Sequence, residues 1–464
     1  MPNTLTALDV AGDPSYGQTL NLTATITAQS TVPPGTTMGG TVAFEWAPTS
    51  GGTYTALPGS PTTVTSTPGS STGTATLAVN TPGSPLPLGD YYIHAVYSGD
   101  TNFDGSTSSD SFEQVTTPTT TAVVAAPSPA PHGAAVTLTA TVTASSPVPA
   151  GMTMGGTVTF QSATTAGGPY TALGAAVAVS ATAGSDTGEA TFTTSTLPLG
   201  ANYIIAVYSG DTYFDTSTAP EITEQITTTT TTTVVAAPSP APHGAAVTLT
   251  ATVTASTTVP SNVTMGGTVT FQSATTAGGP YTALGAAVAV SATAGSTTGE
   301  ATFTTSTLPL GANYIIAIYS GDTTFGGSTS PEITEQITTT TTTTVTANPT
   351  SSTFGDSVAL HATVTAGTTV PSNVTMGGTV TFEWASTTGG PYTALGAAVA
   401  VTAAAGSTTG TADFTITNAN PLPPGTDYIV AVYSGDTTFG GSTSAEATET
   451  VSKIGTTTGL VATP

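Results

Sequence analysis

Cysteine and arginine are absent from the 464 residues, lysine occurs once, at Lys453, and only 6% of residues are charged. Without cysteine there is no disulfide framework and no thiolate metal site, and cysteine usage says nothing about redox compartment. The formal net charge is -24. A surface of that sign with one basic residue cannot neutralise phosphates, which excludes nucleic acid and anionic membranes as partners. No apolar run approaches the roughly 18 residues of a membrane helix, so no membrane insertion is expected within this chain. Met1 to Thr6 carries neither the basic nor the apolar region of an export signal. If the protein is exported, its signal and anchor are expected to lie outside these residues.

What is present is 38% apolar residues in regular order, which points to packed β structure rather than disorder. Tyr-Ser-Gly-Asp recurs at Tyr97, Tyr208, Tyr319 and Tyr433, and Met-Gly-Gly-Thr-Val at Met38, Met154, Met265 and Met376, a period of about 111 residues. The spacing divides the chain into repeats over 1–116, 117–227, 228–338 and 339–452, with 453–464 matching the opening strand of an incomplete fifth. Copies two and three are nearly identical. Copies one and four diverge mainly near Thr81 to Gly89 and Asn418 to Gly425, as loops tolerate.

In copy two, Val136, Leu138, Ala140 and Val142 alternate with threonines, the period of a half-buried strand. Further strands are expected at Thr121 to Ala125, Gly156 to Ser162, Tyr170 to Val179, Gly188 to Thr194, Asn202 to Ser209 and Glu221 to Ile226, each bounded by turn-forming residues. With no helical period, the expectation is an all-β chain: a tandem array of four Ig-like β-sandwich domains arranged end to end. The Val-x-Leu-x-Ala-x-Val strand, Gly-Thr-Val-x-Phe, Leu-Pro-x-Gly and Tyr-Ser-Gly-Asp together resemble the bacterial Ig-like repeat domains of large surface and extracellular proteins. The resemblance covers all four copies. It implies the sandwich fold, and a setting as spacer in adhesins or filaments or beside catalytic domains. The Gly278-Gly279-Pro280-Tyr281 hairpin and its counterparts lengthen these copies, so an added strand on one sheet is expected.

Asp100, Asp211, Asp322 and Asp436 follow the Tyr-Ser-Gly strand end, where an Asx-turn holds the next hairpin. The alternative is Ca²⁺, which suits carboxylates and loop carbonyls. The calcium candidates are Asp100, Asp104, Asp211 and Asp215, but the second carboxylate becomes Gly326 and Gly440 in the later copies. No cofactor is expected beyond that. His94, His132, His243 and His361 occupy non-equivalent positions, which supports neither a repeated zinc site nor a Ser-His-Asp arrangement. Glu113, Glu224, Glu335 and Glu449 fall on the closing strand beside threonines. They are expected to face solvent, although paired acids of the glycosidase kind stay open. Trp46 and Trp384 share the register of inward Val42, Phe44, Val380 and Phe382, which assigns them to the core in preference to a sugar platform.

One strand is apolar on both faces. With Ile204, Ala206 and Tyr208 inward, an outward stripe of Tyr203, Ile205 and Val207 remains, repeated as Tyr314, Ile316, Ile318 and as Tyr428, Val430, Val432. Either the Tyr-Thr-Ala-Leu-Gly hairpin folds over it or it packs laterally against another chain. Thr227 to Thr233 and Thr338 to Thr344 join copies with extended backbone instead of a flexible linker. They are possible O-glycan acceptors, and Asn21, Asn262 and Asn373 begin Asn-x-Thr sequons. The segment Thr456 to Pro464 aligns with Thr119 to Pro127 and is expected to fray as part of a fragment, the rival being strand addition to a neighbouring subunit.

The expected role is a non-catalytic structural stalk or fibre-forming protein, extracellular or on the cell surface, an adhesin-type spacer. Its partners are other copies of itself or surface proteins, met laterally or end to end. One rival is an adhesive module binding glycan or calcium through loops, and another is an accessory region of a secreted hydrolase.

Overall fold

A computed structural model describes residues 1–461 and shows β-strands with no helix among them. The chain separates into two compact units, the first Met1–Thr227 with copies one and two, the second from Thr228 with copies three and four.

Copy two serves as the reference. Its first sheet orders an opening strand Thr119–Ala126, a second strand Val136–Ala144 and an edge strand Thr187–Thr194. Inward Val136, Leu138, Ala140 and Val142 are at most 1% exposed, while the intervening threonines are half-buried on the outer face. Each buried aliphatic side chain contributes about 1.5–3 kcal/mol, and the branched threonines favour the extended backbone that holds it inward.

The facing sheet is built on a third strand, Thr157–Ala163, and a central strand, Gly200–Tyr208, which pair antiparallel. The central strand also pairs with the closing strand Ile222–Thr227, and that strand takes a parallel partner, Ala130–Pro131. The stretch Tyr170 to Val179 is not one strand. It contributes two short strands, Thr171–Ala172 and Val177–Ala178, both paired to the third strand, so the added edge exists but is interrupted at Leu173 to Ala176. Copies three and four repeat this arrangement. Copy one lacks the counterpart of Ala130–Pro131, and a single backbone bond from Tyr16 N to Thr116 O, 2.7 Å, stands there instead.

Copies follow closely within each unit. Closing strand Ser111–Val115 precedes opening strand Thr119–Ala126, and Ile333–Thr338 precedes Thr341–Asn348. In the second unit Gln336 Nε2 donates to Thr438 Oγ1 at 3.0 Å, from copy three to copy four. After the last strand, Lys453 to Val461 forms no strand and is exposed. Ala462, Thr463 and Pro464 lie outside the described residues.

Candidate functional site

The repeated aspartate is consumed by its own domain. Asp211 Oδ1 accepts from Tyr213 N (2.8 Å) and Phe214 N (3.0 Å), an Asx-turn, while Oδ2 accepts from Gly155 N at 2.6 Å. Asp100 takes Asn102 N, Phe103 N and Gly39 N in the same way. Asp322 takes Thr324 N, Phe325 N and Gly266 N, and Asp436 takes Thr438 N, Phe439 N and Gly377 N. Three amide dipoles converge on each carboxylate and offset its charge.

This bond also explains the Met-Gly-Gly motif. Gly156 has φ +75°, and a Cβ there would stand 2.4 Å from Gly210 O. The two loops approach so closely that only glycine fits. Tyr208 closes the same corner by donating its hydroxyl to Gly155 O at 3.0 Å. Burial pushes the equivalent Tyr97 hydroxyl up to about 12, with the Asp100 charge adding to the effect.

The other calcium candidates serve through their backbones. Asp104 N donates to Pro2 O and Asp215 N to Thr117 O, tying down the segment before each opening strand. Among the described residues no group of three or more Asp, Glu, His or Cys is placed to hold a metal ion.

The stripe on the central strand is largely covered by its own chain. Tyr203, Ile205, Val207, Tyr314, Ile318, Tyr428 and Val432 are half-buried. Ile316 and Val430 are buried more deeply, at 8% and 3% exposure. Copy one shows how covering works. His94 occupies the Ile205 position with the Tyr54 ring stacked on it, centroids 3.7 Å apart. The Tyr54 hydroxyl donates to Asp110 Oδ1 at 2.7 Å, and Asp110 and Glu45 lie 3.5 and 3.4 Å from the His94 ring nitrogens.

The later copies keep this clamp with a glutamate. Tyr170, Tyr281 and Tyr392 donate to Glu221, Glu332 and Glu446. Backbone N–H groups of Gly167, Gly278 and Gly389 join them at 2.9, 2.9 and 2.6 Å. The tyrosine bond holds Glu221 below the usual carboxylate range, and the carboxylate raises Tyr170 in return.

The remaining candidates are scattered. His132 and His243 are exposed, and His361 meets Asp413 at 2.6 Å on the surface. Trp46 packs its ring 4.3 Å from that of buried Tyr91, and both Trp46 and Trp384 are half-buried rather than sealed in the core.

The closing-strand glutamates overturn the expectation of solvent exposure. Glu224, Glu335 and Glu449 are 0% exposed, and Glu113 is half-buried. Ile222, Glu224 and Ile226 share one parity, and Ile226 is core, so strand alternation carries the glutamate inward with it. The signal was in the sequence, outweighed by the polarity of the side chain. Opposite them across the strand pair stand Asn202, Asn313 and Asp427. Burial raises Glu335, opposed by Ser239 and the Ala241 amide, and raises Glu449, opposed by Ser352. Burial and then the Glu449 charge push Asp427 up to about 6. The Asp427 and Glu449 pair is sealed beneath the sheet, at 1% and 0% exposure, and cannot meet a glycosidic bond.

One open cleft of about 530 Å³ lies at the loop end of copy two, lined by Pro149, Met152, Asp211 and Tyr213 among others. The Asp211 carboxylate there is already occupied by three amides, and the Tyr213 hydroxyl is raised by burial and then by its Asp90 partner, which leaves Pro149, Met152, Thr153 and Thr212 among the rest of the lining.

A family model described as bacterial Ig-like domain (group 3) matches residues 8–116, 123–227, 233–338 and 345–452. No curated protein matches the chain. A solved structure that matches is that of FdeC, described as a novel, broadly conserved Escherichia coli adhesin eliciting protection against urinary tract infections. Its identity is 15% over 72% of this chain and 96% of that one, with a TM-score of 0.29. At that level the likeness carries no argument here.

Proposed function

Because the chain belongs to the bacterial Ig-like domain family, group 3, we propose that it is a non-catalytic spacer of a bacterial surface or secreted protein, of the kind that holds an adhesive element away from the cell. The observation that supports this reading most is the fate of the repeated aspartates. In all four copies the aspartate of the Tyr-Ser-Gly-Asp loop is satisfied by three backbone amides of its own domain, so its repetition serves folding. The outward side chain of the central strand differs between copies, being His94, Ile205, Ile316 and Val430 at one position. Short junctions of two or three residues within each unit suit a spacer, because they leave no flexible linker. Catalysis gains no support from acids that are either sealed or clamped.

The test is binding by the full chain. A glycan array and calorimetric titration with Ca²⁺ should show no saturable binding. A single glycan class bound and then lost on Tyr213→Ala would instead establish copy two as an adhesive module acting through its cleft, the second reading that the Met152 and Tyr213 lining favours.

A further inference from the structure

Among the described residues, Glu224, Glu335, Asp427 and Glu449 are the only buried charged side chains, and no histidine or lysine is buried. They lie on the core face of a sheet, not in a loop. Each glutamate stands directly opposite Asn202, Asn313 or Asp427 in an antiparallel pair, where Cβ atoms are about 4.5–5.5 Å apart. The asparagines cannot turn a donor toward the acid. Asn202 Nδ2 donates to Pro198 O at 2.8 Å and Gly200 O at 3.1 Å, and Asn313 Nδ2 does the same to Pro309 O and Gly311 O.

Acceptor therefore meets acceptor. Asn202 Oδ1 and both Glu224 oxygens have no hydrogen-bond donor, nor have Asn313 Oδ1 and both Glu335 oxygens, nor Asp427 Oδ2 and both Glu449 oxygens. The groups facing Glu335 from the preceding segment are Ser239 and the Ala241 amide, and Ser352 faces Glu449. All fall short of hydrogen-bonding geometry, and none is ionisable in this range. The third strand supplies only Ser162, Ser273 and Trp384 at the adjoining position. A carboxylate buried without donors is far more costly charged than neutral. One proton satisfies both acceptors at once.

We propose that Glu335 holds a proton more tightly in the folded protein than in the unfolded chain, donating its O–H to the Oδ1 of Asn313, and that Asp427 and Glu449 share a proton in copy four. Copies three and four thus take up protons on folding as pH falls toward about 6, the folded value of Asp427. A glutamate raised above its unfolded value, about 4.3, contributes stability that is complete below that value and is lost as pH rises through the folded value. For Asp427 that value is about 6. Acidification therefore tightens these domains, in contrast to proteins whose carboxylates are paired with cations.

General relief of repulsion in a chain of net charge -24 also favours acid, so the test needs a matched control. Glu335→Gln/Glu449→Gln is compared in the full chain with Glu189→Gln/Glu300→Gln, a pair of equal charge on the exposed outer face. The glutamine amide imitates the protonated acid by donating to Asn313 in one copy and to Asp427 in the other. At pH about 7.5, well above ordinary carboxylate values, the core variant should melt above the parent and by more than the surface variant. Its gain on moving to pH about 4.5 should shrink, while the surface variant keeps that gain. Infrared spectra of the parent in D₂O at pH about 6, where ordinary carboxylates are ionised, should show a protonated-carboxyl stretch that the core variant loses. The spectrum of the parent decides the matter even if the variant fails to fold. Absence of that band would overturn the proposal, and a rise in melting temperature on adding Ca²⁺ at neutral pH would then identify a cation between the acceptors.

Discussion

Asp322 shows how much one side chain carries in a chain with so little charge. It fastens its own turn through Thr324 N and Phe325 N and reaches across to Gly266 N. Asp322→Ala leaves three amides to find water, a loss comparable to that of a helix cap, about 1–2 kcal/mol. Gly267, the next residue of the loop it grips, has φ +77° and would bring a Cβ to 2.6 Å from Gly321 O. Gly267→Ala should cost at least about 2 kcal/mol from the left-handed backbone and the clash together. Calorimetric unfolding of the full chain checks both. A Gly267→Ala transition at the parent temperature would mean that the two loops are not held together as described.

At the scale of the element, the hairpin of each later copy is fixed by a tyrosine and a carboxylate in solvent. Since an exposed contact adds little to global stability, Tyr281→Phe should leave the melting temperature nearly unchanged. It should instead speed amide exchange across Gly278 to Gly285, a local opening; uniform exchange along the chain would contradict the clamp. Alternation alone revealed the strands with two faces of opposite character, such as Val136–Ala144. It did less well where residues pair briefly. Ala130–Pro131 is too short to show a period, and its proline argued against a strand, although the parallel partner lies on one side only. Tyr170 to Val179 looked continuous because side chains cannot reveal that Leu173 to Ala176 leaves the edge. The aspartate turn was legible from its residue types, but the Gly155 and Gly266 amides that complete it are over 50 residues away. Glu224 shares the parity of core Ile226, a signal that the polarity of its side chain masks in the sequence.

For the whole molecule, the charge imbalance has a direct consequence. Every ion pair among the described residues involves a histidine, and 25 acidic residues face one basic one. Salt therefore has repulsion to screen and little attraction to weaken. Raising NaCl should increase the melting temperature of the full chain, and a decrease would point to attractive contacts unaccounted for. A second consequence concerns pulling. In copies two to four the chain enters beside Ala130–Pro131, Ala241–Pro242 or Ser351–Thr353 and leaves through a closing strand that runs parallel to it. Opposed forces on the two ends of such a domain slide the parallel strands along each other, so their hydrogen bonds must break together instead of peeling apart in turn. Copy one has only the Tyr16 N to Thr116 O bond at that place. Stretched as a single molecule, the chain should yield first in copy one, at the lowest force, with the other three domains holding until the tension is higher.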